Sequence, residues 1–178
     1  MAVEKLSTKT ILNKNLSHSP PSVLKNLHVV LHNIRSLYNV GSVFRSADAF
    51  GVGDIILSGY TPTPPRQEIT KTAIGAEEHV SWQYIENFDS YHKQIKRAGY
   101  TILGIEQTTQ SQSLVNFDPN KKDTGKFSII FGNEVTGIDD DILNYIDFFV
   151  ELPQFGHKHS LNISVTVGIV LYSLLQKS

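Results

Sequence analysis

Five polar side chains sit where neighbouring glycine or apolar sequence would hold them still. They are Asn39 and Arg45 in "NVGSVFRSADAFG" (39–51), Glu134 in "IIFGNEVTGI" (129–138), and Ser160 and Asn162 in "LPQFGHKHSLN" (152–162). Val40, Val43, Phe44, Ala47 and Phe50 recur at helical spacing, so 40–50 reads as a packing helix. Arg45 then stands among packing positions, just inside an Asn-x-Gly mouth. A held guanidinium suits a phosphate or a developing negative charge. The plainer reading is a structural ion pair. Glu134 equally reads as a turn residue, and Ser160 and Asn162 as caps of a final helix, with Ser160 the expected N-cap.

Other site chemistries are excluded by what is missing. No Gly-x-Gly-x-x-Gly follows a strand, and neither a P-loop nor a Gly-x-Ser-x-Gly elbow occurs. The chain has no cysteine, which removes thiolate ligands and disulfides. His157 and His159 could bracket a metal, but no third ligand is near them, so no metal is expected. What remains is three glycine-bearing turns that follow strands: "LGIEQ" (103–107), "FGNEVTG" (131–137) and "LPQFGHKHSLN". Open α/β sheets bind ligands at such strand ends, and glycine lets backbone approach a flat heterocycle. Taken singly, each is more simply a turn.

The elements that must position these residues alternate. Strands are expected at 27–34, 54–60, 81–85, 101–106, 126–132 and 147–153, with helices at 40–50, 87–100, 139–146 and 160–176. Residues 107–125 read as a polar loop, and 61–80 begins as one. The fold class is α/β with a largely parallel sheet. At 178 residues and 40% hydrophobic content, one globular domain is expected over 27–178, preceded by a basic arm at 1–26 with a single helical turn. Lys5, Lys9, Lys14 and Lys25 face only Glu4 in that arm, while the whole chain carries a net charge of −1. With no apolar run near the ~20 residues of a membrane span, a cytoplasmic protein without a membrane partner is expected.

Together, "NVGSVFRSADAFG", "IIFGNEVTGI" and "LPQFGHKHSLNISVTVGIVLYSLL" resemble, in order and spacing, the three motifs of the SpoU/TrmH family of SPOUT methyltransferases. "KTAIGAEEHV" (71–80) is similar to that family's linking segment. The resemblance implies a single SPOUT-type α/β domain with a C-terminal deep trefoil knot, working as a homodimer. It also implies S-adenosylmethionine as cofactor and methylation of ribose 2′-oxygens in tRNA or rRNA. By residue, it implies catalytic roles for Asn39, Arg45, Glu134, Ser160 and Asn162. Cofactor contacts are implied for Leu103, Gly104, Ile105, Gly132, Asn133, Gly137, Leu152, Pro153, Ser160 and Leu161. Arg45 would face RNA, as a clamp on phosphate and alkoxide or as the base; a guanidinium is a poor proton acceptor, which favours the clamp. The 39–51 helix would lie at the subunit contact, with Phe44 in the interface. A non-catalytic RNA-binding module of the same fold is the alternative.

Overall fold

The computed structural model describes residues 3–121 and 125–177. Its centre is β1 (Leu27–His32), which pairs in parallel with β2 (Asp54–Ser58) on one side and β6 (Phe127–Phe131) on the other. The sheet continues through β3 (Ser81–Ile85), β4 (Thr101–Ile105), β5 (Gln112–Ser113) and β7 (Phe148–Glu151) in the order β3-β2-β1-β6-β4-β7-β5, every pair parallel. The near-continuous apolar runs of β1, β2 and β6 follow, because helices cover both faces of a parallel sheet.

Side-chain alternation divides the core into two layers. Val29, Leu31, Ile55, Leu57, Leu103, Ile129 and Phe131 face one side, where α3 (Leu37–Phe50) and α7 (Ile163–Gln176) cover them. Val30, Ile56, Ile102 and Ile130 face the other, beneath α5 (Phe88–Arg97) and α6 (Asp140–Leu143). The register brings Leu31, Phe131, Ile105 and Val150 level, so these strands end together. β2 and β3 build outward from β1 on one side, and the later strands build on the other. The strand order therefore reverses beside β1, the switch point where such sheets bind ligands.

Several boundaries differ from expectation. The final helix starts at Ile163, capped by Asn162 instead of Ser160, because the Asn162 carboxamide accepts the Ser164 N–H at 2.9 Å. The 139–146 helix is only α6, and the 107–125 stretch contributes the edge strand β5. Among its described residues the arm carries two helices, α1 (Thr8–Leu16), capped by Ser7, and α2 (Ser22–Lys25), whose Val23 and Leu24 are buried in the core. A helix α4 (Gln67–Ala73) packs across α3. Gly41 permits that crossing, since a Cβ there would lie 2.2 Å from the Ile69 carbonyl oxygen. The glycine of the Asn-x-Gly mouth is therefore a helix-crossing residue. Phe44, expected at a subunit contact, is fully buried within its own chain, edge-on to Trp82.

The C-terminal segment is tied to the stretch between β4 and β6. Gln107 Nε2 donates to the His159 carbonyl at 3.1 Å. Lys177 Nζ donates to the carbonyls of Leu114, Val115 and Phe117 at 2.6, 3.0 and 2.6 Å.

Candidate active site

A cleft of about 290 Å³ opens at the C-terminal ends of β4, β6 and β7. Ile105, Phe131, Leu152, Leu161 and Ile163 give it apolar walls, and Glu106, Glu134 and Glu151 bring three carboxylates. Gly132, Asn133, Gly137 and Ser160 also line it. Leu103 lies beneath in the core, and Gly104 in the strand beside Ile146, so neither lines the cleft. Pro153 is exposed between the lining residues Leu152 and Gln154.

The wall after β6 is a closed turn. Asn133 and Gly137 exchange backbone hydrogen bonds at 2.8 and 3.0 Å, and the Asn133 Oδ1 accepts the N–H groups of Val135 and Thr136. Gly137 takes φ of +75°, which excludes most side chains. A Cβ on Gly132 would lie 2.3 Å from the Gly137 carbonyl, so that glycine serves closure of the turn. From outside, Glu106 accepts the Ile138 N–H at 3.0 Å and the Gln107 N–H at 2.9 Å. Behind it, Asn133 Nδ2 donates to the Asn33 carbonyl at 2.8 Å and reaches the Tyr60 hydroxyl at 2.7 Å. Asn33 in turn donates to Asp139, which also meets His32 at 3.2 Å.

Three of the five candidate polar residues form one relay. Asn162 Nδ2 donates to Asn39 Oδ1 at 3.1 Å, and Asn39 Nδ2 donates to Glu134 Oε1 at 3.1 Å. The Glu134 carboxylate also accepts the N–H groups of Arg35 at 3.1 Å and Ser36 at 3.3 Å, the residues that lead into α3. Burial pushes the Glu134 pKa up. The N–H groups of Arg35, Glu134 itself and Ser36, with the Asn39 amide, outweigh it and hold the carboxyl below its usual range. Ser160 lines the cleft two residues before the relay. Arg45 is elsewhere. It is exposed on the outer face of α3, in a shallow groove with Ser42, Ser46, Lys71 and Thr72.

Glu106, Gln107, Thr136, Gln154 and Thr166 line the cleft without having been singled out, and His159 lines it after being weighed only as half of a metal-bracketing pair. Of these, Glu106 and Gln107 carried a signal, as polar residues at the end of an expected strand. Among the described residues no cluster of His, Asp or Glu could hold a metal, and no helix is long and apolar enough to cross a membrane.

Solved structures with this fold are known. A TrmH/SpoU tRNA-modifying enzyme of A. aeolicus matches with a TM-score of 0.76 at 22% identity, over 95% of this chain and 83% of that one. The SpoU methyltransferase AviRb of Streptomyces viridochromogenes, in complex with AdoMet, matches with a TM-score of 0.76 at 22% identity, over 85% and 60%. At that identity, both establish the fold. A Staphylococcus saprophyticus protein named for the TrmH family of tRNA/rRNA methyltransferases is 28% identical over 150 residues, 84% of this chain. The chain spans 58% of that relative's length. The model of the SpoU rRNA methylase family matches residues 26–172. That span takes in every turn lining the cleft, all of α3 and most of α7, and the chain belongs to the SpoU rRNA methylase family.

Proposed function

We propose that the protein is a cytoplasmic homodimer that transfers a methyl group from S-adenosylmethionine to a ribose 2′-oxygen of tRNA or rRNA. The observation that carries this reading is the Asn162–Asn39–Glu134 relay, which fixes the mouth of a cleft suited to that cofactor in a chain of this family. The donor set fits: apolar walls from Ile105, Phe131, Leu152 and Leu161 suit an adenine, and three carboxylates suit a sulfonium and an ammonium. When bound, the cofactor supplies an electrophilic methyl on sulfur. The ties of Gln107 and Lys177 to the opposite segment support reading the C-terminus as threaded, as the knot requires.

Glu134 is a positioning residue in this reading. Its depressed pKa keeps it ionised, and its oxygens already accept from Arg35, Ser36 and Asn39, which leaves it a poor proton acceptor. Arg45 does not line the cleft of its own chain, so it meets RNA held at the cleft of a second copy, clamping phosphate and stabilising developing alkoxide. Val165, Ile169 and Tyr172 support the second copy: they form an exposed stripe on α7 beside Phe50 of α3. The subunit contact is assigned to that stripe, with Phe44 serving the core.

The test is incubation of purified protein with labelled S-adenosylmethionine and unmodified tRNA and rRNA, followed by nucleoside analysis. Label in 2′-O-methyl nucleosides is expected. Label confined to bases would overturn the ribose assignment, and no transfer to either RNA would overturn the activity.

A further inference from the structure

Between Gln154 and His159, both of which line the cleft, the chain runs out along its lip as Phe155, Gly156, His157 and Lys158. Phe155 is 98% exposed, the most exposed aromatic side chain among the described residues. Unlike tyrosine, phenylalanine has no polar atom to justify that exposure. A lone exposed apolar residue is ordinary, so its surroundings must decide the matter.

Those surroundings are specific. The loop is held to the cleft, since Gln107 Nε2 donates to the His159 carbonyl at 3.1 Å. A Cβ built on Gly156 would meet nothing within 4 Å, so Gly156, next to Phe155, has open space around it. His157, Lys158 and His159 are exposed, and none takes part in an ion pair among the described residues. On the cleft wall after β6, Val135 is 74% exposed. The carboxylates of Glu106, Glu134 and Glu151 line the cleft, while Lys158 lies exposed on the loop at its lip. A polyanion is repelled by the interior and attracted to the lip, so only the sugar of a nucleotide is suited to reach inward. A ribose so placed has left its stack, and its base needs an apolar partner outside.

We propose that Phe155 is the stacking platform for an unpaired base of the RNA, with His157 and Lys158 holding the adjacent phosphates. The inference rests on the RNA reading above and adds the substrate class, an unpaired nucleotide in place of a duplex one. Stacking on one aromatic ring corresponds to roughly 10- to 100-fold in affinity.

The test compares Phe155→Ala and Phe155→Trp in the full chain. With unmodified tRNA, Phe155→Ala should raise KM for RNA about 10- to 100-fold, and Phe155→Trp should restore it. Affinity for S-adenosylmethionine and mass by light scattering should both stay at the wild-type value. Independently of turnover, 2-aminopurine fluorescence in a short single-stranded RNA should be quenched by wild type and not by Phe155→Ala. A wild-type KM and wild-type quenching in Phe155→Ala would overturn the proposal. So would a fall to monomer mass, which would place the ring against a second copy, or a loss of cofactor affinity, which would place it over the cofactor. Quenching without methyl transfer by wild type would overturn the enzymatic reading and leave the stacking site standing.

Discussion

The first turn of α3 and its middle turn behave differently, although Asn39 and Arg45 are only six residues apart. Six residues advance a helix about 9 Å and leave the side chain about a third of a turn away. Asn39 is thereby turned toward β6 and α7, where it joins Glu134 and Asn162 across 95 and 123 residues of sequence. Arg45 is turned to the outer groove with Lys71 and has no described partner. One end of the helix is tied to the cleft wall through Glu134, and in the middle only the outward face is exposed. In a helix, neighbours in sequence are not neighbours on a face. Arg45 is exposed while Phe44 before it and Ala47 two residues on are both buried.

The largest expected effect tests the outward half. Arg45→Ala should lower methyl transfer about 10²- to 10³-fold, the scale of one lost charge-stabilising donor. Its stability should stay within about 0.5 kcal/mol of wild type, as for a surface substitution. Steady-state kinetics beside a thermal melt checks both; a large drop in melting temperature would mean that Arg45 holds structure.

Next comes the inward half. Glu134→Ala leaves the N–H groups of Arg35 and Ser36 and the Asn39 amide without their acceptor. Because these groups are partly exposed, the expected loss is about 1–2 kcal/mol, measured by urea unfolding. Affinity for S-adenosylmethionine should fall as well, which Arg45→Ala should not show.

The difference between Asn162 and Ser160 is smaller. Asn162→Ala removes both the N-cap of α7 and the bond to Asn39, and should cost about 1 kcal/mol. Ser160→Ala should leave stability near wild type; equal losses would mean the cap is shared.

The smallest effect is a pH dependence confined to the Asn39 end. Since the Glu134 pKa is depressed in the folded chain, its contribution is complete above the unfolded value of about 4.3 and is lost as pH falls through the folded one. The stability difference between wild type and Glu134→Gln should therefore be present at pH 6 and shrink steadily below about pH 4. A constant difference would show that the carboxylate's charge contributes nothing.

What could be read from the sequence depended on how local the cause was. β1 and β6 were legible because strands buried on both faces are mostly apolar. The turn after β6 was legible from Gly132, which directly follows that strand. Gly41 was misread as part of a helix mouth because its cause, the Ile69 carbonyl of α4, lies 28 residues further on. Glu106 was passed over for the same reason, since its work is on Ile138, 32 residues away. Ser160 and Asn162 are both good capping residues, and only the Ser164 N–H decides between them. The full length of α1 escaped because it buries nothing, leaving the Ser7 cap as its sole strong signal.

The pairing of β1 with β6 has a consequence for how the protein is made. Leu27 finds its partner Phe127 about a hundred residues later, and α7, which completes the layer over α3, comes after that. During translation β1 can zip to β2 early, yet its other edge stays open until β6 leaves the ribosome. Pairing across such a separation is slow, and an open parallel edge invites association with other chains. The nascent chain therefore spends most of its synthesis with half a sheet. A ribosome-bound fragment stopped before residue 127 should be bound by holding chaperones and cut readily by protease, while one long enough to expose α7 should resist both.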